Sequence, residues 1–292
     1  MVVPSLRIAV LADIHGNLPA LEAVVADLRT QGVDGVYLAG DQISRVPWHN
    51  EVMDLIAENG WPAIYGNHDL VIGRLHTREN GPPFTDEQRF ASLYWTQATL
   101  RPEHLDTVRA LPATLRLAWP SLPPIRIWHG TPGDPYSGIF PFTSTQVALA
   151  LLHSVEESFV VLGHTHRPID RSFGRWRVFN GGSVGLPYNG DTRAQCLVLD
   201  GTPSGWTPTF RTVDYDHAPI RPAFEASGML ETAGATGELH ILTALTAQPW
   251  SSDFAYWLHH HVAYQARSVD DAVAAYLREH GPGHWAFEVE NK

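Results

Sequence analysis

Five short polar packets each follow an apolar run in this chain: Asp13-Ile14-His15, Gly40-Asp41, Gly66-Asn67-His68-Asp69, His129-Gly130 and Gly163-His164-Thr165-His166. They supply two carboxylates (Asp13 and Asp41), four imidazoles (His15, His129, His164 and His166) and one amide (Asn67), all of them metal-ligand types. Seven donors are too many for one tetrahedral or octahedral ion that keeps an open position; they suit two ions sharing a carboxylate. Asp41 stands alone at the end of its run and is the best bridge. In extended chain, residues i and i+2 project to one side, so Asp13 and His15 can address one point, as can His164 and His166. A single packet reads as a cap or a solvated group. Five in series, each beside a glycine, read as a two-metal site.

Such donors need a scaffold that brings them together. "LRIAVLAD" (6–13) is a continuous apolar run, as a buried strand should be. Asn17 can cap a helix with Pro19 in its first turn and Leu21, Val24, Val25 and Leu28 on one face, ended by Gly32. "GVYLAGD" (35–41) reads as a second strand, Asn50 opens a second helix, and "WPAIYGN" (61–67) reads as a third strand. Strand and helix alternating with short links predict right-handed βαβ units. Residues 84–111 read as helical, with Thr85-x-x-Gln88 as a capping box. "IRIWHG" (125–130) and "SFVVLGHTH" (158–166) are further strands with polar tips, and a strand-rich stretch follows to about residue 215. In an open α/β sheet the carboxyl ends of the strands form the ligand crevice, so the packets converge there.

From about 222 the texture changes to Gly, Ala and Thr with weak periodicity, up to an amphipathic helix at 268–281. The expected division is a catalytic domain at 1–221 and a partly helical extension at 222–292, packed on the core or at the interface of a homo-oligomer. No site chemistry is readable in that tail. Its aromatics Trp250, Phe254, Tyr256 and Trp257 read as a packing stripe, a dimer face or a lid.

The formal charge of −11, from 31 acidic and 20 basic residues, argues against an extended nucleic-acid footprint. The single Cys196 excludes an internal disulfide framework and suits a reducing compartment. No apolar run is long enough for a membrane span, and the first residues lack a signal-peptide pattern, so the expected location is cytoplasmic.

"DIHGN", "GD", "GNHD", "WHGTP" and "GHTHRP" resemble the motif series of the calcineurin-like metallophosphoesterases. "NGGSVGLPYNGD" (180–191) is similar to a segment of their small bacterial phosphodiesterase-like branch. The resemblance covers roughly 7–215 and implies an α/β (α+β) fold: a two-sheet β-sandwich flanked by helices, αββα. It implies that Asp13, His15, Asp41 and His166 hold one divalent ion and that Asp41, Asn67, His129 and His164 hold the other. Manganese, iron, zinc and nickel all accept such donors. A bridging hydroxide would attack phosphorus in line, with His68 as general acid for the leaving oxygen. Asp69 would orient His68 at the substrate or cap the following turn.

The chain departs from the family after Gly40-Asp41, where it reads "GDQISRVPWHNEV". Arg45 falls where protein phosphatases of the superfamily carry a phosphate-contacting arginine, and is a candidate substrate ligand or a solvent-facing loop residue. The expected activity is hydrolysis of a phosphodiester or phosphomonoester on a phosphorylated small molecule, nucleotide or phosphopeptide. Protein Ser/Thr phosphatase-like activity and dinucleoside polyphosphate hydrolysis are the alternatives within chemistry. A catalytically silent scaffold is the alternative outside it; such scaffolds lack the acid histidine that this chain retains.

Overall fold

The computed structural model describes residues 6–265 and 267–280. Two mixed sheets lie face to face. The first has strand order β2-β1-β8-β9, built from β1 (Leu6–Leu11), β2 (Gly35–Leu38), β8 (Ala194–Thr202) and β9 (Gly205–Val213). The second runs β3-β4-β5-β7-β6, from β3 (Thr114–Leu117), β4 (Ile125–Trp128), β5 (Phe159–Leu162), β6 (Pro168–Phe173) and β7 (Trp176–Gly181). β1 and β2 pair in parallel, as do β4, β5 and β7, while β8 joins β1 antiparallel.

Side-chain alternation makes β1 serve two cores at once. Ile8 and Val10 point between the sheets, against Ile125, Ile127, Val161 and Phe179. Ala9 and Leu11 point outward, under α1 (Leu18–Gln31) and α2 (His49–Asn59). On α1 the apolar face Leu21, Val24, Val25 and Leu28 is buried, as its spacing predicts, and each such side chain contributes roughly 1.5–3 kcal/mol. The other flank carries α6 (Thr145–Leu152), whose Ala148 and Leu152 cover Val160, Leu162 and Val178. This is the αββα sandwich that the motif series implies.

The run 61–67 is not a strand. Only an isolated bridge joins Ala63 to Leu38, because Pro62 has no N–H and Gly66 already caps α3 (Asn67–Arg74). Thr85-x-x-Gln88 opens no helix either; α4 (Ala91–Thr99) starts after Phe90, and α5 (Pro102–Ala110) follows it. The second helix begins one residue before Asn50, at His49.

The described tail is a series of helices joined by short turns. α7 (Ile220–Ala226), α8 (Met229–Thr246), α9 (Trp250–His260), α10 (Val262–Gln265) and α11 (Val269–Glu279) follow in order, with α8 kinked at Gly234. The texture boundary at 221/222 falls inside α7, and the outer ends of the two expected domains, 1–5 and 281–292, lie outside the described residues. Phe224, Met229, Ile241 and Ala244 pack with Val46, Leu186 and Tyr188 of the sandwich, so the two parts share a core. Trp250, Phe254 and Trp257 form a second core with Val273 and Tyr276 of α11. Among the described residues no helix is long and apolar enough to cross a membrane.

Candidate metal centre

The packets sit in the turns that follow β1, β2, β4 and β5, and at the N-terminus of α3. Their backbone is unusual. Of ten non-glycine residues with positive φ among those described, five lie in the packets (Asp13, His15, Asp41, His164 and His166), and Ser44 and Arg45 follow Asp41 closely in the chain. Left-handed backbone costs an L-residue roughly 1–2 kcal/mol, and such outliers persist where the surroundings over-determine them. So Asp13 with His15, and His164 with His166, converge through left-handed turns rather than through the i, i+2 pleat expected from sequence. Glycines make the room: a Cβ on Gly66 would lie 2.0 Å from Asp41 Oδ1, and one on Gly40 would lie 2.5 Å from His129 Nδ1.

All seven candidate donors come together. Asp13 Oδ1 lies 3.3 Å from His166 Nε2, which is 3.2 Å from His15 Nε2. Asn67 Oδ1 lies 3.1 Å from His129 Nε2 and 3.0 Å from His164 Nδ1. Asp41 Oδ2 sits between the two groups, 3.5 Å from His15 Nε2 and 3.3 Å from His129 Nε2. Its other oxygen accepts the backbone N–H of His68 at the first turn of α3 (2.8 Å), where the helix dipole favours a carboxylate. Asp13 also falls within reach of Asp41 and His129, and His68 within reach of His15 and Asp41.

The electrostatics ask for positive charge. His129 Nδ1 lies 2.8 Å from the Ala39 carbonyl and His166 Nδ1 lies 2.5 Å from that of Leu186. Those contacts assign a proton to each Nδ1 and turn each Nε2 lone pair inward, toward oxygens and another imidazole nitrogen. Acceptors that face one another at 3.1–3.3 Å repel unless a proton or a cation stands among them. Burial would lower His129, but Asp41 and Asp13 outweigh it and push it up to about 9. His15 Nδ1 is buried without a hydrogen-bond partner among the described residues. Carboxylate, amide and imidazole donors around such a focus fit divalent first-row metals.

His68 faces the cleft beside this group. Its Nε2 accepts from Arg45, through Nε at 3.3 Å and Nη2 at 3.2 Å, and its Nδ1 lies 3.1 Å from Ser44 Oγ. Burial and then the Arg45 charge lower it to about 3. Among the described residues the Asp69 carboxylate makes no hydrogen bond to the His68 ring. Asp69 is fully buried, and its carboxylate accepts the backbone N–H groups of Gly66, Asp41, Gln42 and Ile43. Of the two roles open to it in sequence, it takes the cap, and it clamps the Gly40-Asp41 turn to α3. Asp69 is not among the residues lining the two cavities beside the cluster.

Three site residues were given no role by residue type and spacing, although Asn180 and Tyr188 fall in the 180–191 segment. Asn180 Nδ2 donates to the carbonyl of Gly163 and to Thr165 Oγ1, pinning the turn that carries His164 and His166. The Tyr188 ring lies on His166, with centroids 4.0 Å apart and planes at 17°. Ser252, in the tail expected to carry no site chemistry, hydrogen-bonds Tyr188 Oη at 2.9 Å and accepts from Arg45 Nη2 at 3.3 Å.

Against known proteins, residues 6–202 match the calcineurin-like phosphoesterase superfamily domain. The chain belongs to that superfamily. A metallophosphoesterase from Sphaerobacter thermophilus is 26% identical to this chain, with a TM-score of 0.65 over 84% of this chain and 100% of its own. A hypothetical protein from Pyrococcus horikoshii OT3 has the same fold, with a TM-score of 0.68 at 24% identity over 82% of this chain and 97% of its own. An uncharacterized protein of Methanocaldococcus jannaschii is 25% identical over 218 residues, 66% of this chain and 82% of its own. The family generally binds divalent metals, and Asp13, His15, Asp41, His68, His129 and His166 of this chain form candidate metal-holding groups.

Proposed function

We propose that the chain is a dinuclear, metal-dependent phosphoesterase that hydrolyses a phosphodiester or phosphomonoester. One observation carries the reading: Asp41 Oδ2 lies between His15 Nε2 and His129 Nε2, one from each half of the donor set. Asp13, His15, Asp41 and His166 would hold one divalent cation, and Asp41, Asn67, His129 and His164 the other. When bound, such cations supply Lewis-acid polarisation of phosphoryl oxygens and activation of water for in-line attack.

The chain's own residues supply the rest. Two divalent cations bring four positive charges and Asp13 and Asp41 return two negative ones, which leaves a cationic cup in a protein of charge −11. Arg45 Nη1 is buried without a protein partner, and no carboxylate pairs with Arg45 among the described residues, so its guanidinium suits a phosphate oxygen. Arg45 now donates to His68 Nε2. A phosphate that draws the guanidinium away frees that nitrogen to carry a proton to the leaving oxygen or to stabilise its charge. Ala39 and Leu186 carbonyls keep His129 and His166 oriented.

The test is turnover of bis-p-nitrophenyl phosphate and p-nitrophenyl phosphate by manganese-loaded protein, before and after chelation. Hydrolysis of at least one ester, abolished by the chelator and restored by metal, is expected. Metal-replete protein that cleaves neither ester would leave the silent scaffold as the better reading.

A further inference from the structure

The donor cluster lies between two cavities, and α9 walls both. The first, of about 440 Å³, has His164 in its lining together with Tyr136, Phe140, Phe142, Tyr188 and Tyr256. The second, of about 220 Å³, holds Arg45, His68, Phe84, Phe90 and Phe254. Ser252 and Tyr256, four residues apart on α9, face the first; Ser251, Phe254, Ala255 and Leu258, on the adjoining helix face, line the second. Ser252 fixes the ridge between them through its bonds to Tyr188 and Arg45. A tetrahedral phosphate at the cluster therefore has room for a substituent on either side.

The first cavity is lined largely by aromatic rings. Aromatic side chains come from three separate segments: the 131–143 loop, the turn after β7 and α9. Phe140 and Phe142 stack with centroids 5.3 Å apart and planes at 16°, and Phe142 remains 48% exposed and Tyr136 46%. Exposed rings around a concave site mark a ligand groove, and aromatic rings offer faces on which another ring can stack. A volume of about 440 Å³ lies within the range of small-ligand sites.

We infer that the first cavity is the subsite for a planar aromatic group, nucleoside or simple aryl, carried on the phosphate that is cleaved. It rests on the phosphoesterase reading above. The group in the first cavity stays on phosphorus, and the ester oxygen on the His68 side departs into the second cavity. Water adds an oxygen to phosphorus as that P–O bond breaks. The products are the aromatic phosphomonoester and the departing alcohol, which takes up a proton.

The test compares p-nitrophenyl phosphodiesters that differ only in the retained group: thymidine 5′, phenyl, octyl and methyl. Stacking on aromatic side chains predicts kcat/KM about tenfold or more higher for the thymidine ester, the phenyl ester or both than for methyl. Which of the two leads identifies the nucleoside or the aryl source. Phe142→Ala and Tyr256→Ala should each shrink that ratio several-fold. An octyl ester as good as the ring esters, or a methyl ester as good as all, overturns the aromatic subsite while leaving phosphoesterase activity standing. Should no ester turn over, the activity reading fails separately. Calorimetric titration with thymidine 5′-monophosphate, phenyl phosphate and methyl phosphate then decides the subsite by binding alone. At least tenfold tighter binding of either ring phosphate, lost in Phe142→Ala, supports it, and equal binding of all three rejects it.

Discussion

The Arg45 guanidinium donates to His68 Nε2 through two nitrogens, at 3.3 Å and 3.2 Å, on residues 23 positions apart in the chain. A cation is thereby held against the ring proposed to protonate the leaving group. Such a pair makes chemical sense where an anion enters and competes for the guanidinium. Arg45→Met should raise the inhibition constant of inorganic phosphate by about tenfold or more, the value of one lost charge-assisted bond. An unchanged constant would make Arg45 a structural partner of His68 alone.

His68 stands outside the proposed donor set although its ring lies within reach of His15 and Asp41, so removing it tests whether chemistry separates from metal binding. His68→Ala should keep the metal content of the parent and lose about a hundredfold or more in kcat, the range for a missing general acid. Elemental analysis and turnover on the same preparation check both halves. Full activity at full metal content would remove His68 from the mechanism.

Asp69 is the clamp beneath the site. Its carboxylate accepts from four backbone N–H groups, so Asp69→Ala leaves buried donors unpaired and should cost about 3 kcal/mol of stability in chemical denaturation. Metal affinity should fall with it, because Asp41 is carried by the same turn. A loss below about 0.5 kcal/mol, as for a plain surface substitution, would contradict the clamp.

His240 predicts a pH effect away from the cluster. It is buried between Ser92 and Ser251, and burial, with Arg45 and His68 behind it, lowers it well below its ordinary range. In the unfolded chain it takes a proton near pH 6.5, whereas the folded chain resists. Below pH 6.5 the unfolded state therefore binds more protons, and stability falls by about 1.4 kcal/mol per pH unit for this one group. Denaturation of metal-free protein at pH 7, 6 and 5 should show that slope reduced by one proton in His240→Gln. Parallel curves would show that His240 is not the group responsible.

The sandwich was legible because its signals are local: the β1 run, the capped face of α1 and the polar strand ends all stand where residue type put them. The site was legible by donor type but not by geometry. Nothing in Asp13-Ile14-His15 distinguishes a pleat from a left-handed turn; the contacts of a neighbouring turn decide it, as where Gly40 and Asp41 accept the N–H groups of Asp13 and His15. The 61–67 run looked like a strand by apolarity, yet Pro62 and Gly66 leave it a single bridge. The role of α9 was hidden for another reason. Trp250, Phe254 and Trp257 pack as the aromatic stripe suggests, but Ser252 and Tyr256 line a cavity from the other side of the helix, which no stripe marks.

The most direct measurement is metal stoichiometry by mass spectrometry of manganese-loaded protein and of its Asp41→Ala variant, each confirmed folded. The proposed centre predicts two ions per wild-type chain and at most one in the variant, because Asp41 serves both. One ion or none in saturated wild type, or two still bound without Asp41, would contradict the shared-carboxylate centre.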